Sequence, residues 1–283
     1  MAVLKTACVA AAGALACVSA AASVLTVGPG ARFSRPSEAA AIAKDGDRVF
    51  IAAGDYRDDV CVWRASNLTI AGEGADRTVL HAGARLCQGK AIWVLAGTNT
   101  VVSGLAFCGA RCPDRNGAGI RLDGTGLTVC ACRFEENENG ILCGANGESD
   151  VRISDSLFRR NGAGDGFSHN LYIGDVRSLT VERCVSDHAR KGHALKSRAR
   201  RTVVTDSRFD DGEDGESSYL VNLPNGGRCS LSGCYLRQSP RAANKTMVSV
   251  GEEGAYPDSR LETRDNVFVD GTGKGRTIVR KGF

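Results

Sequence analysis

The sequence contains few of the residues that build a core from large side chains. Aromatic residues make up only 6% of its 283 residues, with two tryptophans, two methionines and six prolines. The apolar residues are mostly small or β-branched, which favours many short strands over a few bulky contacts. The 35 glycines indicate frequent turns. A hydrophobic content of 42% excludes a disordered or collagen-like chain.

Long apolar stretches are also missing, except at the start of the chain. Residues 1–22 combine one charge at Lys5 with an apolar run and small residues, which is typical of a secretory signal peptide cleaved near Ser23. A lipid on Cys17 is the weaker alternative. No later stretch is long enough to span a bilayer. We therefore expect one mature domain at 23–283, secreted or periplasmic, with no membrane span and monomeric.

Charge and motifs exclude further function classes. The formal net charge of +4 is too small for a general nucleic-acid binder, so nucleic acid is not expected as a partner. The GxSxG motif of a nucleophile elbow is absent. Without a paired CxxC set, no metal or other cofactor is expected. The acidic run DDGEDGE at 210–216 leaves calcium open, although a solvated loop explains it better.

The most informative feature is an internal repeat. Six segments share an apolar or β-branched opening and a small residue near the middle, and they recur at intervals of 24, 28, 23, 27 and 32 residues. Each interval holds a second short strand, and turns rich in Gly, Asn and Asp separate the strands. This period, without helical periodicity, is that of one coil of a parallel β-helix. The small position is filled in turn by Cys132, Ser156, Cys184, Ser207, Cys234 and Asn266.

The small position has a physical interpretation. Equivalent residues of successive coils stack about 4.8 Å apart, and a bend at that point accepts only small side chains. Three of the ten cysteines after residue 22 are therefore expected to be buried and unbridged rather than catalytic. The export signal allows disulfides among the others. The best pairs lie in turn-rich segments: Cys61 with Cys87, and Cys108 with Cys112.

The N-terminal segment fits the same architecture. The strand LTVGPG is followed by Ser34 to Ser37 and EAAAIAK, a short helix with proline in its first turn, and DGDRVFIAAGDY returns to strand. Together with the repeats, this segment resembles the pectate-lyase-like superfamily. The resemblance implies an all-β, single-stranded right-handed parallel β-helix, a solenoid with a short N-terminal capping helix. Lyases, hydrolases, esterases, epimerases and adhesins share that scaffold, so it does not specify function.

Basic residues and histidines concentrate in two consecutive coils, between 165 and 201. Alternation along a strand predicts Leu171 and Ile173 inward, with Asn170 and Tyr172 outward. One coil later Lys196 and Arg198 point outward, and Lys196 lies beside Tyr172. Trp93 is expected inside the coil.

This cluster suits an acidic sugar. A cation beside a uronate carboxylate lowers the pKa of the proton α to it, and a neighbouring base removes that proton, which is the first half of a β-elimination. We therefore expect a polysaccharide lyase acting on an acidic polysaccharide or oligosaccharide. The expected catalytic residues are Lys196, Tyr172, His169 and His193. The expected substrate-binding residues are Asn170, Arg198, His188, Lys191 and Arg200.

Three alternatives stay open on the sequence alone. A glycoside hydrolase needs two facing carboxyl groups; three aspartates lie near the basic cluster and a fourth lies on a preceding coil, but they form no tight group. A non-catalytic polysaccharide-binding or matrix protein would use the same scaffold. The third alternative is that the basic residues have no ligand and only keep this face of the solenoid soluble and unpaired. The aspartates in question are Asp123, Asp165, Asp175 and Asp187.

Overall fold

The protein is described by a computed structural model that covers residues 22–273 and 276–280. Apart from Ala22, the predicted signal peptide lies outside the described residues. Over these residues the chain winds through three parallel sheets, one with ten strands and two with nine, and each coil contributes one strand to each sheet. No helix in this part of the chain is long and apolar enough to cross a membrane.

The strands are short, and one helix interrupts the first coil. In chain order the elements are β1 (Val24–Val27), α1 (Pro36–Ile42), β2 (Arg48–Ile51), β3 (Gly54–Arg57), β4 (Cys61–Trp63), β5 (Thr69–Gly72), β6 (Thr78–His81), β7 (Ala91–Leu95), β8 (Thr98–Ser103), β9 (Ala106–Cys108), β10 (Ala118–Leu122), β11 (Thr125–Cys130), β12 (Arg133–Glu135), β13 (Asn139–Cys143), β14 (Asn146–Ser154), β15 (Leu157–Arg159), β16 (Leu171–Ile173), β17 (Val176–Glu182), β18 (Val185–Asp187), β19 (Leu195–Ser197), β20 (Arg201–Thr205), β21 (Arg208–Asp210), β22 (Val221–Leu223), β23 (Arg228–Ser232), β24 (Tyr235–Gln238), β25 (Thr246–Val250), β26 (Arg260–Arg264), β27 (Val267–Asp270) and β28 (Arg276–Arg280).

From β2 onward, consecutive strands belong to sheets 1, 2 and 3 in turn, and β1 joins sheet 1. All strand pairings between coils are parallel; β11, for example, lies between β8 and β14. The predicted repeat segments each contain a bend and contribute two strands, to sheets 1 and 2. The second strand predicted in each interval belongs to sheet 3. The predicted parallel β-solenoid is therefore confirmed.

Inward side chains of successive coils stack along the solenoid axis and form its core. The rings of Phe107, Phe134 and Phe158 lie parallel, with centroids 5.1 and 4.9 Å apart. Trp93 continues the row edge-on against Phe107 and is fully buried, as predicted. Such in-register stacking lets a chain with few aromatic residues fill a long core, because each ring packs on the coil before and after it.

The bend between sheets 1 and 2 contains the predicted stack of small residues. Cys132, Cys184 and Cys234 are buried there, which confirms the prediction. The backbone N–H of Cys132 donates to Ser156 Oγ at 3.1 Å, and that of Cys184 donates to Ser207 Oγ at the same distance. Burial raises the pKa of the Cys132 thiol to about 12, so the thiol is protonated and unreactive at neutral pH.

The ten cysteines of the described chain are all free, and the structure forms neither of the two expected disulfides. Cys61 points into the main core, whereas Cys87 packs on a separate cluster of Ala91, Val94 and Ala118. Cys108 ends a strand, and the Cys112 thiol instead donates to Asn116 Oδ1 at 3.3 Å. The turn-rich sequence around these residues did not determine where their side chains point.

An asparagine ladder occupies the bend between sheets 2 and 3. Asn137 Nδ2 donates to Asn161 Oδ1 at 3.0 Å, and Asn161 Nδ2 donates to Asn170 Oδ1 at 2.9 Å. Asn170 is fully buried, so the predictions that it points outward and binds substrate were wrong. Alternation failed there because Asn170 precedes β16, on the bend, where the chain direction changes.

The helix α1 forms where the sequence predicted a short helix. Pro36 is at its first turn, and the Glu38 carboxylate accepts the backbone N–H of Ser34 at 2.8 Å. The backbone N–H of Ser37 donates to Asp59 Oδ2 at 3.0 Å, which ties the helix to the segment before β4. Its role as a cap on the first coil stays a prediction.

Candidate functional site

The outer face of sheet 3 carries a continuous row of side chains. Strand pairing places Tyr172 beside Lys196, Lys196 beside Asn222, and Asn222 beside Ser249, each on the next coil. The predicted register of Tyr172 and Lys196 is thus confirmed. Leu142 precedes Tyr172 in the same row, so the face changes from apolar to polar at this point.

Four side chains on this face form one connected group, which we call the Lys196 cluster: Tyr172, Lys196, Arg198 and Glu253. Arg198 Nε donates to the Tyr172 hydroxyl at 3.2 Å, and its Nη2 lies 2.6 Å from Glu253 Oε2. Lys196 Nζ lies 3.5 Å from Glu253 Oε1 and 6.0 Å from the centre of the Tyr172 ring. The Lys196 side chain is only 13% exposed, so its charge is held at the surface in a fixed place.

A loop from the coil that contains β25 brings two carboxylates to the site. Backbone N–H groups of Glu253 and Tyr256 donate to the carbonyls of Pro224 and Asn225, at 2.9 and 3.0 Å, and anchor the loop on the preceding coil. Glu253 thereby reaches Lys196, although 57 residues separate them. Sequence reasoning missed this loop. The signal in the sequence was an acidic pair, Glu252 and Glu253, one residue after the predicted strand TMVSV.

The other carboxylate of the loop is bound by neutral groups. Glu252 accepts hydrogen bonds from Asn222 Nδ2 and Ser249 Oγ, both at 2.7 Å. Asn222 is fully buried, and within the described chain its Oδ1 has no hydrogen-bond partner. Buried polar atoms are almost always paired, so this oxygen is an exception beneath the Glu252 carboxylate.

His169 and His193 lie at the start of β16 and β19 and stack on each other, with ring centroids 4.6 Å apart. His169 Nδ1 accepts the backbone N–H of His193 at 3.0 Å, and His193 Nδ1 accepts that of Tyr219 at 3.2 Å. One coil earlier, Asn139 Oδ1 accepts the N–H of His169 in the same way. The imidazoles therefore continue a ladder between coils. At each step a backbone N–H donates to a side chain of the preceding coil instead of to a backbone carbonyl.

The ladder limits what the two histidines can do chemically. An imidazole whose Nδ1 accepts a hydrogen bond is neutral with its proton on Nε2 and has no free lone pair to take another proton. Burial, together with Lys196, lowers the pKa of His193 to about 3. Burial, then His193 and Lys196, lowers the pKa of His169 well below its usual value. At neutral pH both rings therefore carry their proton on Nε2, with His169 stacked on Tyr172 and His193 packed against Tyr219.

The depressed pKa of His193 predicts a loss of stability in mild acid. Because the unfolded histidine titrates near 6.5 and the folded one near 3, the unfolded state alone gains a proton as pH falls below 6.5. His193→Asn should keep the acceptor, as Asn139 does, and remove this dependence. We expect the wild type to lose about 1 kcal/mol more than the variant between pH 7 and 5.5, measured by denaturant unfolding.

Other groups that titrate between pH 7 and 5.5 contribute equally to wild type and to His193→Asn, so their effects cancel when the two stabilities are compared. Burial raises the pKa of Asp211 to about 6, and this group changes stability in the opposite sense in both proteins. Identical pH dependence of wild type and His193→Asn would contradict the neutral ladder.

The remaining predicted binding residues lie at different places. Arg200 is at the corner between sheets 3 and 1, with Nε 3.6 Å from Asp175 Oδ1 and its guanidinium 5.9 Å from the centre of the Tyr256 ring. His188 lies at the bend between sheets 2 and 3, where its ring nitrogens face Asp187 and Asp214. Lys191 is exposed in the same bend. Neither His188 nor Lys191 contacts the Lys196 cluster in the described structure.

The aspartates considered for hydrolysis are dispersed. Asp123 pairs with Arg121 at 2.8 Å, and Asp187 pairs with Arg159 at the same distance on sheet 2. Asp165 accepts the backbone N–H of Phe167 in an exposed loop. Among the described residues, no group of three or more His, Cys, Asp or Glu side chains is placed to hold a metal ion.

Comparisons with known proteins agree with this architecture. No protein-family model matches the chain, and no curated protein sequence matches it. Several solved structures, in contrast, are similar to it. A pectin methylesterase from Aspergillus niger superposes with a TM-score of 0.61 at 11% identity, covering 94% of this chain and 91% of the other. A pectin methylesterase from Erwinia chrysanthemi gives 0.59 at 12% identity, covering 92% of each chain.

An alginate lyase from Paenibacillus is also similar, with a TM-score of 0.52 at 15% identity, covering 92% of this chain and 98% of that enzyme. These similarities show that the chain has the right-handed parallel β-helix fold expected from the resemblance to the pectate-lyase-like superfamily. At identities this low, they concern the fold alone.

Proposed function

We propose that this right-handed parallel β-helix protein is an enzyme that cleaves an acidic, uronate-containing polysaccharide by β-elimination. The observation that carries the proposal is the Lys196 cluster, in which a lysine, an arginine and a tyrosine from adjacent coils share one partly exposed face. The similar solved structures include enzymes named for pectin and for alginate, which supports a carbohydrate substrate for this chain.

Each side chain has a role that follows from its contacts. Arg198 binds the uronate carboxylate, since its guanidinium is suited to paired hydrogen bonds with carboxylate oxygens. Lys196 is a cation paired with Glu253 in the resting cluster. It gives its ammonium proton to water before the step, and the free amine then takes the proton α to the substrate carboxylate. Tyr172, whose oxygen accepts from Arg198, is free to donate its own proton to the departing glycosidic oxygen.

The step balances without a cofactor. Lys196 gains the α proton, the electrons of that C–H bond form a carbon–carbon double bond, and the neighbouring C–O bond breaks. The oxygen that leaves takes a proton from Tyr172. Proton exchange with water then returns both side chains to their starting states. Positioned proton transfer of this kind contributes about 10²–10⁴ in rate.

Glycoside hydrolysis fits the cluster less well. It requires one protonated and one ionised carboxyl group across the bond. Burial opposes ionisation of Glu253, but the hydrogen bond from Arg198 and the charges of Lys196 and Arg198 outweigh it and lower the pKa of Glu253. Glu253 is therefore ionised at neutral pH and is not suited to be the acid.

A product analysis tests the proposal. The purified protein is incubated with polygalacturonate, methyl-esterified pectin and alginate, and three signals are followed: absorbance of the unsaturated product, reducing ends and methanol. We expect absorbance and reducing ends to rise together on at least one uronate polymer. Reducing ends without absorbance would indicate a hydrolase, and methanol alone an esterase. Binding without any product would indicate a matrix protein, and each of these three results would overturn the lyase assignment.

Export belongs to the same proposal, because a polysaccharide of this kind lies outside the cytoplasm. It depends on the signal peptide predicted at residues 1–22. Mass spectrometry of secreted protein that starts near Ser23 would support it.

A further inference from the structure

A second basic surface lies beside the Lys196 cluster, around the corner on sheet 1. A groove of about 560 Å³ opens there, and four arginines line it together with Tyr256, Pro257 and two aspartates. The four arginines are Arg177, Arg200, Arg201 and Arg228. The aspartates, Asp150 and Asp258, leave an excess of positive charge on the groove walls.

Strand register makes this surface unusual. Arg201, Arg228 and Arg260 begin β20, β23 and β26 and are directly paired across the sheet. All three are exposed, and successive coils lie about 4.8 Å apart. Like charges directly opposite each other on parallel strands are destabilising. A row of three arginines is therefore a feature that folding alone does not favour.

Acidic neighbours compensate the row only in part. Arg228 Nε lies 2.6 Å from Asp258 Oδ2, and Arg260 Nε lies 3.2 Å from Glu262 Oε1. Arg201, in contrast, has no acidic side chain within ion-pair distance in the described chain. Its charge faces the groove and is available to an anion.

The groove is continuous with the Lys196 cluster through one aromatic residue. The Tyr256 hydroxyl donates to the backbone carbonyl of Arg198 at 3.1 Å. The Tyr256 ring lies beneath the Arg200 guanidinium. A polymer that leaves Arg198 therefore meets the Tyr256 ring, on which a sugar can stack, and then the arginine row.

We propose that this groove is an extended subsite for the same acidic polysaccharide, with the arginine row binding the carboxylates on one side of a chain that runs along the solenoid axis. The three arginines are in register on successive coils, so they present a line of positive charge along that direction. The ligand class depends on the proposed function, whereas the binding surface itself does not.

The test is binding of polygalacturonate and alginate of defined length, by calorimetry, to wild type and to the double variant Arg201→Gln/Arg228→Gln. Loss of two charge contacts should weaken binding of the long polymer about tenfold and flatten its salt dependence. Binding of a di- or trisaccharide, which the Lys196 cluster alone accommodates, should be unchanged. Arg57→Gln/Arg85→Gln removes the same charge from exposed positions in the N-terminal coils and should bind polymer as wild type does.

The outcomes separate this inference from the proposed function. A double variant that binds long polymer as well as the control variant does would overturn the subsite, even if the enzyme cleaves uronate polymers. Polymer binding that depends on the arginines, without any cleavage, would leave the subsite standing and overturn the lyase. A sulfated glycan or single-stranded nucleic acid that binds more tightly than every uronate polymer, with the same arginine dependence, would overturn the assignment to a uronate chain.

Discussion

Replacing Lys196 with alanine is expected to lower kcat on the best uronate polymer by about a hundredfold or more, the usual scale for one positioned proton-transfer group. The melting temperature should change little, because Lys196 lies on the outer face of sheet 3, outside the apolar core, and Arg198 still holds Glu253 when Lys196 is removed. The measurement is initial rates of product absorbance together with thermal unfolding of both proteins.

Two further variants make this prediction specific. Lys196→Arg keeps the positive charge but cannot give up its proton near neutral pH, so it should bind polymer and still lose most of the turnover. Lys44→Ala, at an exposed position near α1, should turn over substrate normally. Turnover by Lys196→Ala at the wild-type rate would refute the role of Lys196. Full activity of Lys196→Arg would show that Lys196 acts through its charge alone.

Replacing Glu253 with glutamine is expected to lower KM on uronate substrates about tenfold. Glu253 is a carboxylate held between Lys196 and Arg198, and it occupies the position that the substrate carboxylate needs. Its side chain is 44% exposed and comes from a loop, so an incoming carboxylate can displace it. Glutamine has the same shape without the charge, which removes the competition. A tenfold change corresponds to about 1.4 kcal/mol, which is consistent with the loss of the two partly exposed ion pairs that Glu253 makes.

The neighbouring carboxylate provides the matched control. Glu252 binds Asn222 and Ser249 and, within the described residues, pairs with no cation, so Glu252→Gln should not lower KM. Raising the salt concentration should also reduce the difference between wild type and Glu253→Gln, because screening weakens both the internal pair and the substrate contact. An unchanged or higher KM in Glu253→Gln would show that Glu253 supports binding rather than competing with it.

The sequence predicted the direction of side chains correctly within strands and incorrectly at the bend that contains Asn170. Within a strand, side chains alternate strictly, so the outward placement of Tyr172, Lys196 and Arg198 followed from the apolar residues between them. At the bends alternation ends, and Asn170 and the two histidines turned out to be ladder residues. Their hydrogen bonds connect coils, and such contacts are not encoded in neighbouring positions of the chain.

The sequence by itself determined the solenoid, because a short repeat with a small residue at a fixed place can bury its apolar positions only by stacking coil upon coil. It also determined which strands carry the basic residues. Only the tertiary structure decided that Glu253 lies between Lys196 and Arg198, and that Arg201, Arg228 and Arg260 form a row. The physical reason is that coils differ in length through their loops. The packed structure, rather than spacing along the chain, decides where a loop folds. It also decides which residues of different coils come into register.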